Sequence, residues 1–277
     1  DDKIVKYLDK DLMRGLHVYK GRDYTGDISI KHLLKQTSGL NDVFFPLFKK
    51  MITNPNLEMT VREALQWGKT NLKPVGKPGQ KHFYTDTNYY LLGLIIENIT
   101  KKPFHKAVHE MILEPLKMDN AYINGYSEPK NKPQYPPAHI YLFNINFIEN
   151  KRIAKIDYAG GGVVAPLSEY LVFMKALVNG QLVKEATLNQ MIYDDVKMGF
   201  PALGFDYGYS VWKPKAIALL MPKKYFCWGC VGVTGAFMFF HPQTEAYVIG
   251  TFNDKSYTSK ALRFMLTKII KPLLKIK

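Results

Sequence analysis

The hydrophobic pattern of the first 200 residues is mainly helical. Residues 88–100 (NYYLLGLIIENIT) are apolar almost all round, which predicts a buried helix. Residues 30–36 form a shorter helical segment that Ser29 can cap, and Gly39 sits just past its end. The sequence Thr-Val-Arg-Glu at 60–63 fits a capping box and predicts the start of another helix.

Prolines and glycines mark two more helices and the loops around them. Pro103 and Pro166 each fit the first turn of a helix, and the second helix should run to about residue 179. Residues 126–137 are rich in proline and polar groups, which predicts a loop. The three glycines at 160–162 predict a tight turn.

From about residue 203 the pattern changes to the alternation expected of strands. The candidate strands are 205–213, 223–230, 234–241 and 245–252. His-Pro-Gln-Thr at 241–244 predicts a hairpin turn between the last two strands. The tail from Ser259 has the pattern of an amphipathic helix, which Pro272 should kink or end.

These elements predict an α+β fold in two parts. Residues 1–200 form a mainly helical subdomain, and residues 201–277 form an antiparallel sheet with a C-terminal helix. A sheet of about four strands with one helix leaves its edge in need of a partner. The chain also begins with Asp1, so we interpret it as a piece of a longer product. We therefore expect the N-terminal part of the fold to be missing, with that segment or a partner strand covering the sheet edge.

Composition and charge argue against a membrane-spanning protein and against a nucleic-acid-binding protein. The 277 residues are 47% hydrophobic and 13% aromatic, enough for a core, and no apolar run is as long as a membrane span. The formal charge is +14, but the lysines are spread out and do not form the dense basic stripe that nucleic acid favours. A solvated lysine-rich surface explains this charge, with an anionic cell-wall polymer or membrane face as the alternative.

The two cysteines, Cys227 and Cys230, are spaced C-x-x-C in a predicted strand. Residues three apart in a strand point to opposite faces, which disfavours a disulfide or a redox pair. Zinc would need two further ligands, and the sequence has no second Cys/His pair at metal-binding spacing. We predict no metal and no cofactor. A redox or metal-binding function through these two cysteines is the weakest hypothesis for this protein.

Five motifs follow one another in the order found in a single enzyme family. They are ISIKHLLKQTSGL at 28–40, FYTDTNY at 83–89, LEPLKM at 113–118, GGVV at 161–164 and WGCVGVTG at 228–235. Together they resemble the class C β-lactamase-like, penicillin-binding serine hydrolases, which include D-alanyl-D-alanine carboxypeptidases, class C β-lactamases and related esterases. The resemblance implies a β-lactamase/transpeptidase-like fold, in which helices flank an antiparallel sheet.

The family's nucleophile motif, a helical Ser-x-x-Lys, has no convincing counterpart in this chain. Ser-Glu-Pro-Lys at 127–130 falls in the proline-rich loop, and Ser-Val-Trp-Lys at 210–213 falls in a predicted strand. Neither setting places Ser and Lys on one helical face. The resemblance begins just downstream of this motif, which implies that the nucleophile lies on a segment outside this chain.

The resemblance assigns catalytic roles to Tyr84 and Asp86. Tyr84 matches the tyrosine that works with the lysine as general base and passes a proton to the leaving group; otherwise it caps a buried helix. A free tyrosine titrates at about pH 10, so this role needs a cationic neighbour. Asp86 replaces the usual Asn, and an ionised Asp cannot donate a hydrogen bond to the substrate. Asp86 would instead accept one from the lysine or cap the helix that starts near residue 88.

The resemblance places Cys230, Val231, Gly232 and Thr234 at the substrate-binding strand. The family has Lys or His followed by Ser or Thr there, and Cys230 and Val231 supply neither a cation nor a hydroxyl group. Binding of a substrate carboxylate is therefore weakened. Gly232 keeps the backbone open to a substrate, and Thr234 would restore one hydroxyl. Nothing nearby in sequence lowers the pKa of Cys230, which disfavours it as a substitute nucleophile.

We therefore predict a serine hydrolase of carboxypeptidase or esterase type that acts through an acyl-enzyme. The truncated chain alone should be inactive. The alternative is a catalytically degenerate family member that acts as a binding protein. The expected partner is a small-molecule, peptide or ester substrate, including cell-wall peptide, and not nucleic acid. Relatives usually act outside the cytoplasm, which implies an exported or cell-envelope location.

Overall fold

The computed structural model describes residues 1–131, 133–199, 204–215 and 222–276, which form two compact units. The first unit comprises Asp1–Met111, Tyr122–Glu128 and Lys151–Val163. The second unit comprises Ile112–Ala121, Pro129–Asn150 and Val164–Lys277. This division differs from the expected boundary at residue 200, because the helix Leu167–Val178 packs against the sheet and so belongs to the second unit.

Helices make up much of both units. In chain order they are α1 (Lys10–Met13), α2 (Ile30–Leu34), α3 (Phe44–Thr53), α4 (Val61–Asn71), α5 (Asp86–Thr100), α6 (Phe104–Val108), α7 (Lys151–Ala154), α8 (Leu167–Val178), α9 (Glu185–Tyr193), α10 (Thr258–Phe264) and α11 (Lys271–Ile276). Short strands lie between some of them: β1 (Val18–Tyr19), β2 (Arg22–Asp23), β3 (Tyr122–Ile123), β4 (Tyr141–Leu142), β5 (Ile145–Asn146) and β6 (Val163–Val164). Of the helices in the described ranges, none has both the length and the apolar character needed to cross a bilayer.

Side-chain caps fix where the predicted helices begin. At the start of α4, the Thr60 hydroxyl accepts from the backbone N–H of Glu63, whose carboxylate accepts from the backbone N–H of Thr60. This reciprocal pair is the capping box that the sequence predicts. Ser29 caps α2 as expected, although α2 ends at Leu34, two residues earlier than predicted. It ends there because Gln36 adopts a left-handed conformation with a φ of 56°.

The second unit contains an antiparallel sheet in the order β12-β11-β10-β9-β8-β7. Its strands are β7 (Val196–Lys197), β8 (Phe205–Tyr207), β9 (Trp212–Pro214), β10 (Trp228–Val231), β11 (Phe237–His241) and β12 (Ala246–Gly250). The predicted strand 205–213 is in fact two strands, because the chain turns at Ser210, which has a φ of 58°. The sheet also begins earlier than expected, at β7, and residues 223–225 form a 3₁₀ turn before β10.

Helices cover both faces of this sheet. Phe239 is buried in one core cluster with Met265 of the C-terminal helical segment. Phe240, its neighbour on β11, points to the other face and packs with Trp228 in a cluster that includes Met174 of α8. Successive residues of β11 thus pack into two different core clusters, because neighbouring side chains of a strand point to opposite faces of the sheet. The α+β organisation expected from the sequence is confirmed.

The C-terminal helical segment runs from α10 to α11 through a π-helical turn at Met265–Ile270. Pro272 does not end the helix, contrary to one of the two expectations. A proline in a helix loses its N–H and crowds the carbonyl four residues earlier. That carbonyl belongs to Lys268, in the wider π-helical turn, and Pro272 itself lies in the first turn of α11.

Candidate active site

Tyr84 lies in the first unit, on the segment that leads into α5. Its side chain is 39% exposed, and its ring centroid lies 6.0 Å from that of Tyr89. The N-cap of α5 is Thr85, whose hydroxyl accepts from the backbone N–H of Thr87 at 3.0 Å. Neither Tyr84 nor Asp86 therefore caps this helix, and the ring of Tyr84 reaches solvent.

The fully buried Gln36 holds the backbone on both sides of Tyr84. The N–H of Phe83 donates to the carbonyl oxygen of Gln36 at 2.8 Å, and the N–H of Thr85 donates to Gln36 Oε1 at 2.9 Å. The side-chain amide of Asn88 donates to the same Oε1 at 2.5 Å. One residue thus fixes the chain before and after Tyr84, as well as the first turn of α5.

The residues that follow Gln36 extend this network. The Ser38 hydroxyl donates to Asn88 Oδ1 at 2.6 Å and accepts from the backbone N–H of Leu40 at 3.1 Å. Gly39 has a φ of 78°, and a Cβ there would lie 2.2 Å from the carbonyl oxygen of Gly76. The Gln-Thr-Ser-Gly motif therefore carries a structural role: its small and polar residues hold the Tyr84 segment in place.

Asp86, the first residue of α5, lies close to two other carboxyl groups. Its backbone N–H donates to Asp42 Oδ1 at 2.9 Å. A Cβ on Gly160 would lie 3.2 Å from both Asp86 Oδ1 and Asp157 Oδ1, so these two carboxyls flank the same glycine. The turn that the glycines at 160–162 predict thus lies against Asp86.

The buried setting of Asp86 beside Asp42 and Asp157 favours the protonated form of its carboxyl group. Burial raises the pKa of Asp86 well above its usual range, and the neighbouring charges of Asp42 and Asp157 raise it further. Burial also raises the pKa of Asp157 to about 7. A protonated Asp86 carries an O–H donor, as the usual Asn carries an N–H donor. The expectation that Asp86 cannot donate therefore applies only to its ionised form.

The second group of predicted site residues lies in the second unit, at the end of β10 and the turn after it. Cys230 pairs with Met238 of β11, and Val231 pairs with Phe237. The backbone N–H of Gly232 donates to the carbonyl oxygen of Ala236 at 2.8 Å, which closes the turn that contains Thr234. Val231, Gly232 and Thr234 are partly exposed. This turn therefore offers backbone and one hydroxyl group, and no cationic side chain.

The two cysteines are free, with Cys227 buried and Cys230 exposed. Only Cys230 belongs to β10, because Cys227 precedes the first residue of that strand, so the prediction that one strand carries both cysteines is wrong. Cys227 instead lies in the core cluster of the sheet. Although Cys230 is exposed, the protein atoms packed around its thiol raise the pKa of that thiol, which stays protonated at neutral pH. A protonated thiol is a poor nucleophile, which is a second argument against a catalytic role for Cys230.

Both formal Ser-x-x-Lys matches lie outside helices. Ser127 is in a turn, where its hydroxyl accepts from the backbone N–H of Ile123 at 2.9 Å. Ser210 is in the turn before β9, and Lys213 of that strand forms an ion pair with Asp195. Neither match therefore presents its serine and its lysine on one face of a helix.

A family model described as Beta-lactamase matches residues 1–269. The chain belongs to the beta-lactamase family. Protein flp of Staphylococcus aureus (strain N315) is 34% identical over 119 residues, which cover 42% of this chain and 22% of that protein. The putative D-alanyl-D-alanine carboxypeptidase of Escherichia coli (strain K12) is 28% identical over 131 residues, which cover 45% of this chain and 27% of that protein. The matched segments thus span about a quarter of these curated relatives.

A solved structure superposes along almost the whole chain. The D-stereospecific amidohydrolase from Streptomyces sp. superposes with a TM-score of 0.73 at 22% identity, covering 96% of this chain and 78% of that chain. This likeness confirms the β-lactamase/transpeptidase-like fold that the motifs imply. The match of the family model over residues 1–269 also confirms the resemblance that the five motifs imply, because the beta-lactamase family consists of hydrolytic serine enzymes.

Three residues of the first-unit site are not among those chosen from the sequence. Gln36 is part of a recognised motif, but the motif alone gives it no contact with Tyr84. Asp42 and Asp157 reach Asp86 from 44 and 71 positions away in the chain. A local signal exists only for Asp157, which precedes the glycine turn at 160–162. Tyr84 and Asp86 lie together, and Cys230, Val231, Gly232 and Thr234 lie together in the other unit.

Proposed function

We propose that this chain supplies most of a serine hydrolase that works through an acyl-enzyme, with the nucleophilic serine and its lysine on a segment outside this sequence. The observation that carries the proposal is the placement of Tyr84. Its ring is exposed, its backbone is fixed on both sides by Gln36, and Asp86 follows two residues later. Such rigid placement is what a proton-transfer group requires.

The settings of this chain's own Ser-x-x-Lys matches support a nucleophile on a segment outside it. The two Ser-x-x-Lys matches lie in a turn and beside a strand, and neither presents Ser and Lys on one helical face. The Streptomyces structure has additional chain beyond the part that superposes, since 78% of it is covered. A Ser-x-x-Lys helix on an additional segment is consistent with both observations. Taken alone, the chain of 277 residues should not hydrolyse substrates.

In the proposed reaction, the serine oxygen attacks the substrate carbonyl carbon and loses its proton to the Tyr84–lysine pair. The lysine cation is needed because it favours the tyrosinate form of Tyr84. As the tetrahedral intermediate collapses, Tyr84 returns that proton to the leaving amine or alcohol, and the acyl group stays on the serine. Water then attacks the acyl carbon and gives a proton to the Tyr84–lysine pair. The bond between the acyl carbon and the serine oxygen breaks, the serine takes that proton back, and the carboxylic acid is released. Protonated Asp86 donates a hydrogen bond to the bound substrate, in place of the usual Asn.

The substrate-binding turn favours a neutral substrate end. Cys230 and Val231 offer no cation or hydroxyl for a free carboxylate, while Thr234 offers one hydroxyl. We therefore propose small amides, esters or capped peptides as substrates, in preference to peptides that end in a free carboxylate. Cell-wall-type peptides with a blocked terminus belong to this class. An exported or cell-envelope location would suit such substrates.

The test is the intact mass of the full-length encoded protein before and after a fluorophosphonate probe. We expect one adduct, on a serine of an upstream Ser-x-x-Lys, and no adduct on this chain alone. Tyr84→Phe should slow labelling by about 100-fold or more, because it removes the proton relay. Tyr89→Phe is the matched control, a neighbouring tyrosine whose substitution should leave the labelling rate within a factor of about two.

Two outcomes would reject this proposal. Labelling of the 277-residue chain alone would place the nucleophile inside it. A full-length protein that lacks Ser-x-x-Lys and takes up no probe would favour the alternative, a binding protein of the same fold. That alternative draws on Asp86, Cys230 and Val231, three positions at which this chain departs from the family pattern. Binding of an amide without turnover would then be the expected result.

A further inference from the structure

The C-terminal helical segment presents a basic face to solvent. After Asp254 the sequence contains no further Asp or Glu. The exposed cations of this segment, called here the basic face, are Lys260, Arg263, Lys268, Lys271 and Lys275.

The spacing of these residues sets them opposite the core. Ala261, Met265 and Ile270 are fully buried in the cluster beneath the sheet, and they alternate with the basic residues at helical spacing. The segment therefore has one apolar side, which contributes to the core, and one cationic side, which points away from the sheet.

The five cations of the basic face form no ion pairs in the described protein, although Lys260 is close enough to Asp254 to help lower the pKa of that carboxyl. Within residues 1–131, 133–199, 204–215 and 222–276, no carboxylate forms an ion pair with any of its five cations. Other lysines do have such partners, for example Lys130, which lies 3.2 Å from Asp119. Clustered and unpaired cations create a positive potential that attracts anionic surfaces.

Large apolar side chains accompany these cations. Tyr257 is 39% exposed and lies under the Lys260 ammonium, 4.6 Å from it. Phe264 is 42% exposed in the middle of the basic face, and Ile276 is 80% exposed at its end. Aromatic and aliphatic groups between cations are typical of helices that lie at the boundary of headgroups and acyl chains.

We propose that the basic face docks the protein onto the surface of an anionic lipid bilayer. The five cations would contact lipid phosphates, and Phe264, Tyr257 and Ile276 would enter the headgroup layer. Nucleic acid could pair with the cations and stack on the two aromatic rings, but it would leave Ile276 in water, whereas a bilayer surface accommodates all three apolar groups. This proposal does not depend on the proposed hydrolase activity.

The test is flotation of the purified 277-residue chain with vesicles of phosphatidylcholine, with or without about one-third phosphatidylglycerol. We expect binding only to the anionic vesicles, weakened strongly by about 0.5 M NaCl. The triple variant Lys268→Glu, Lys271→Glu, Lys275→Glu should bind about 100-fold more weakly, since each surface cation contributes roughly fivefold. Glu has a helix propensity close to that of Lys, so α11 should remain folded, which circular dichroism can verify.

The matched control changes three exposed lysines outside this segment, Lys49→Glu, Lys197→Glu and Lys223→Glu. It alters the formal charge equally and should keep most of the affinity for anionic vesicles. If both triple variants lost the same affinity for anionic vesicles, net charge alone would explain the binding, and the proposal would be overturned. Equal binding to pure phosphatidylcholine, or binding to a polyuridylate strand but not to vesicles, would also overturn it. Phe264→Ser should weaken vesicle binding without altering its dependence on salt.

Discussion

Gln36 connects the sequence motif to the placement of Tyr84 through one buried oxygen. Gln36→Met keeps nearly the same volume but removes the acceptor used by the Thr85 N–H and the Asn88 amide. Two buried donors would then lack partners, so we expect the free energy of unfolding to fall by about 3 kcal/mol. Urea unfolding followed by circular dichroism measures this change.

Two further variants separate the loss of the hydrogen bonds from a general effect of substitution. Gln36→Glu retains an acceptor oxygen for both donors when its buried carboxyl is protonated, so at about pH 5 it should lose less stability than Gln36→Met. Gln80→Met removes an exposed glutamine that accepts one solvent-accessible bond from the Lys77 N–H, and should cost less than about 0.5 kcal/mol. Equal losses in Gln36→Met and Gln36→Glu would contradict the assigned role of the acceptor.

In the central sheet, glycine is required at Gly229 more than at the site residue Gly232. A Cβ on Gly229 would lie 1.9 Å from the carbonyl oxygen of Met238, whereas a Cβ on Gly232 would lie 3.3 Å from the side chain of Ala236. Gly229→Ala must therefore separate β10 from β11, and we expect it to cost about 3 kcal/mol of stability. Gly232→Ala is the control and should cost about 1 kcal/mol or less.

Thermal unfolding of both variants by circular dichroism tests this prediction. A similar decrease in Tm for the two alanine variants would show that the strands can separate without much cost. The result also matters for the site, because β10 carries Cys230 and Val231. If Gly229→Ala unfolds the protein, any loss of ligand binding in that variant says nothing about the site itself.

The sequence predicts elements well where their cause is local. The capping box at Thr60 and the turn at 241–244 each depend on a few adjacent residues, and both are confirmed. The strand predicted at 205–213 is wrong, because Ser210 takes a positive φ that its residue type does not indicate. Both halves of that segment alternate in the same way, so periodicity alone could not locate the turn between them.

Across the whole molecule, the site could be predicted only as far as its motifs extend. Tyr84 and Asp86 could be proposed as site residues because their motif is continuous in sequence. Asp157 was not, because its approach to Asp86 depends on how distant segments fold together. What the motifs could not reveal is therefore the chemical setting of Asp86, a group of three carboxyls, and not the identity of the residue itself.

That group makes the stability of the chain depend on pH. The pKa of Asp157 is about 7 in the folded protein, above its ordinary value of 3.8, because burial disfavours the charged form. Between these values the folded state binds a proton that the unfolded chain releases, so the free energy of unfolding should fall as pH rises from about 4 to 7. The contribution of Asp157 to this fall is at most about 4 kcal/mol.

Asp157→Asn tests this dependence, because it removes the titrating group and keeps the shape of the side chain. Urea unfolding at about pH 4.5 and pH 7.5 should show a smaller loss of stability at the higher pH in this variant than in the parent chain. Asp11→Asn, at an exposed position, should leave the parent's pH dependence unchanged. Identical pH profiles for Asp157→Asn and the parent would contradict the prediction.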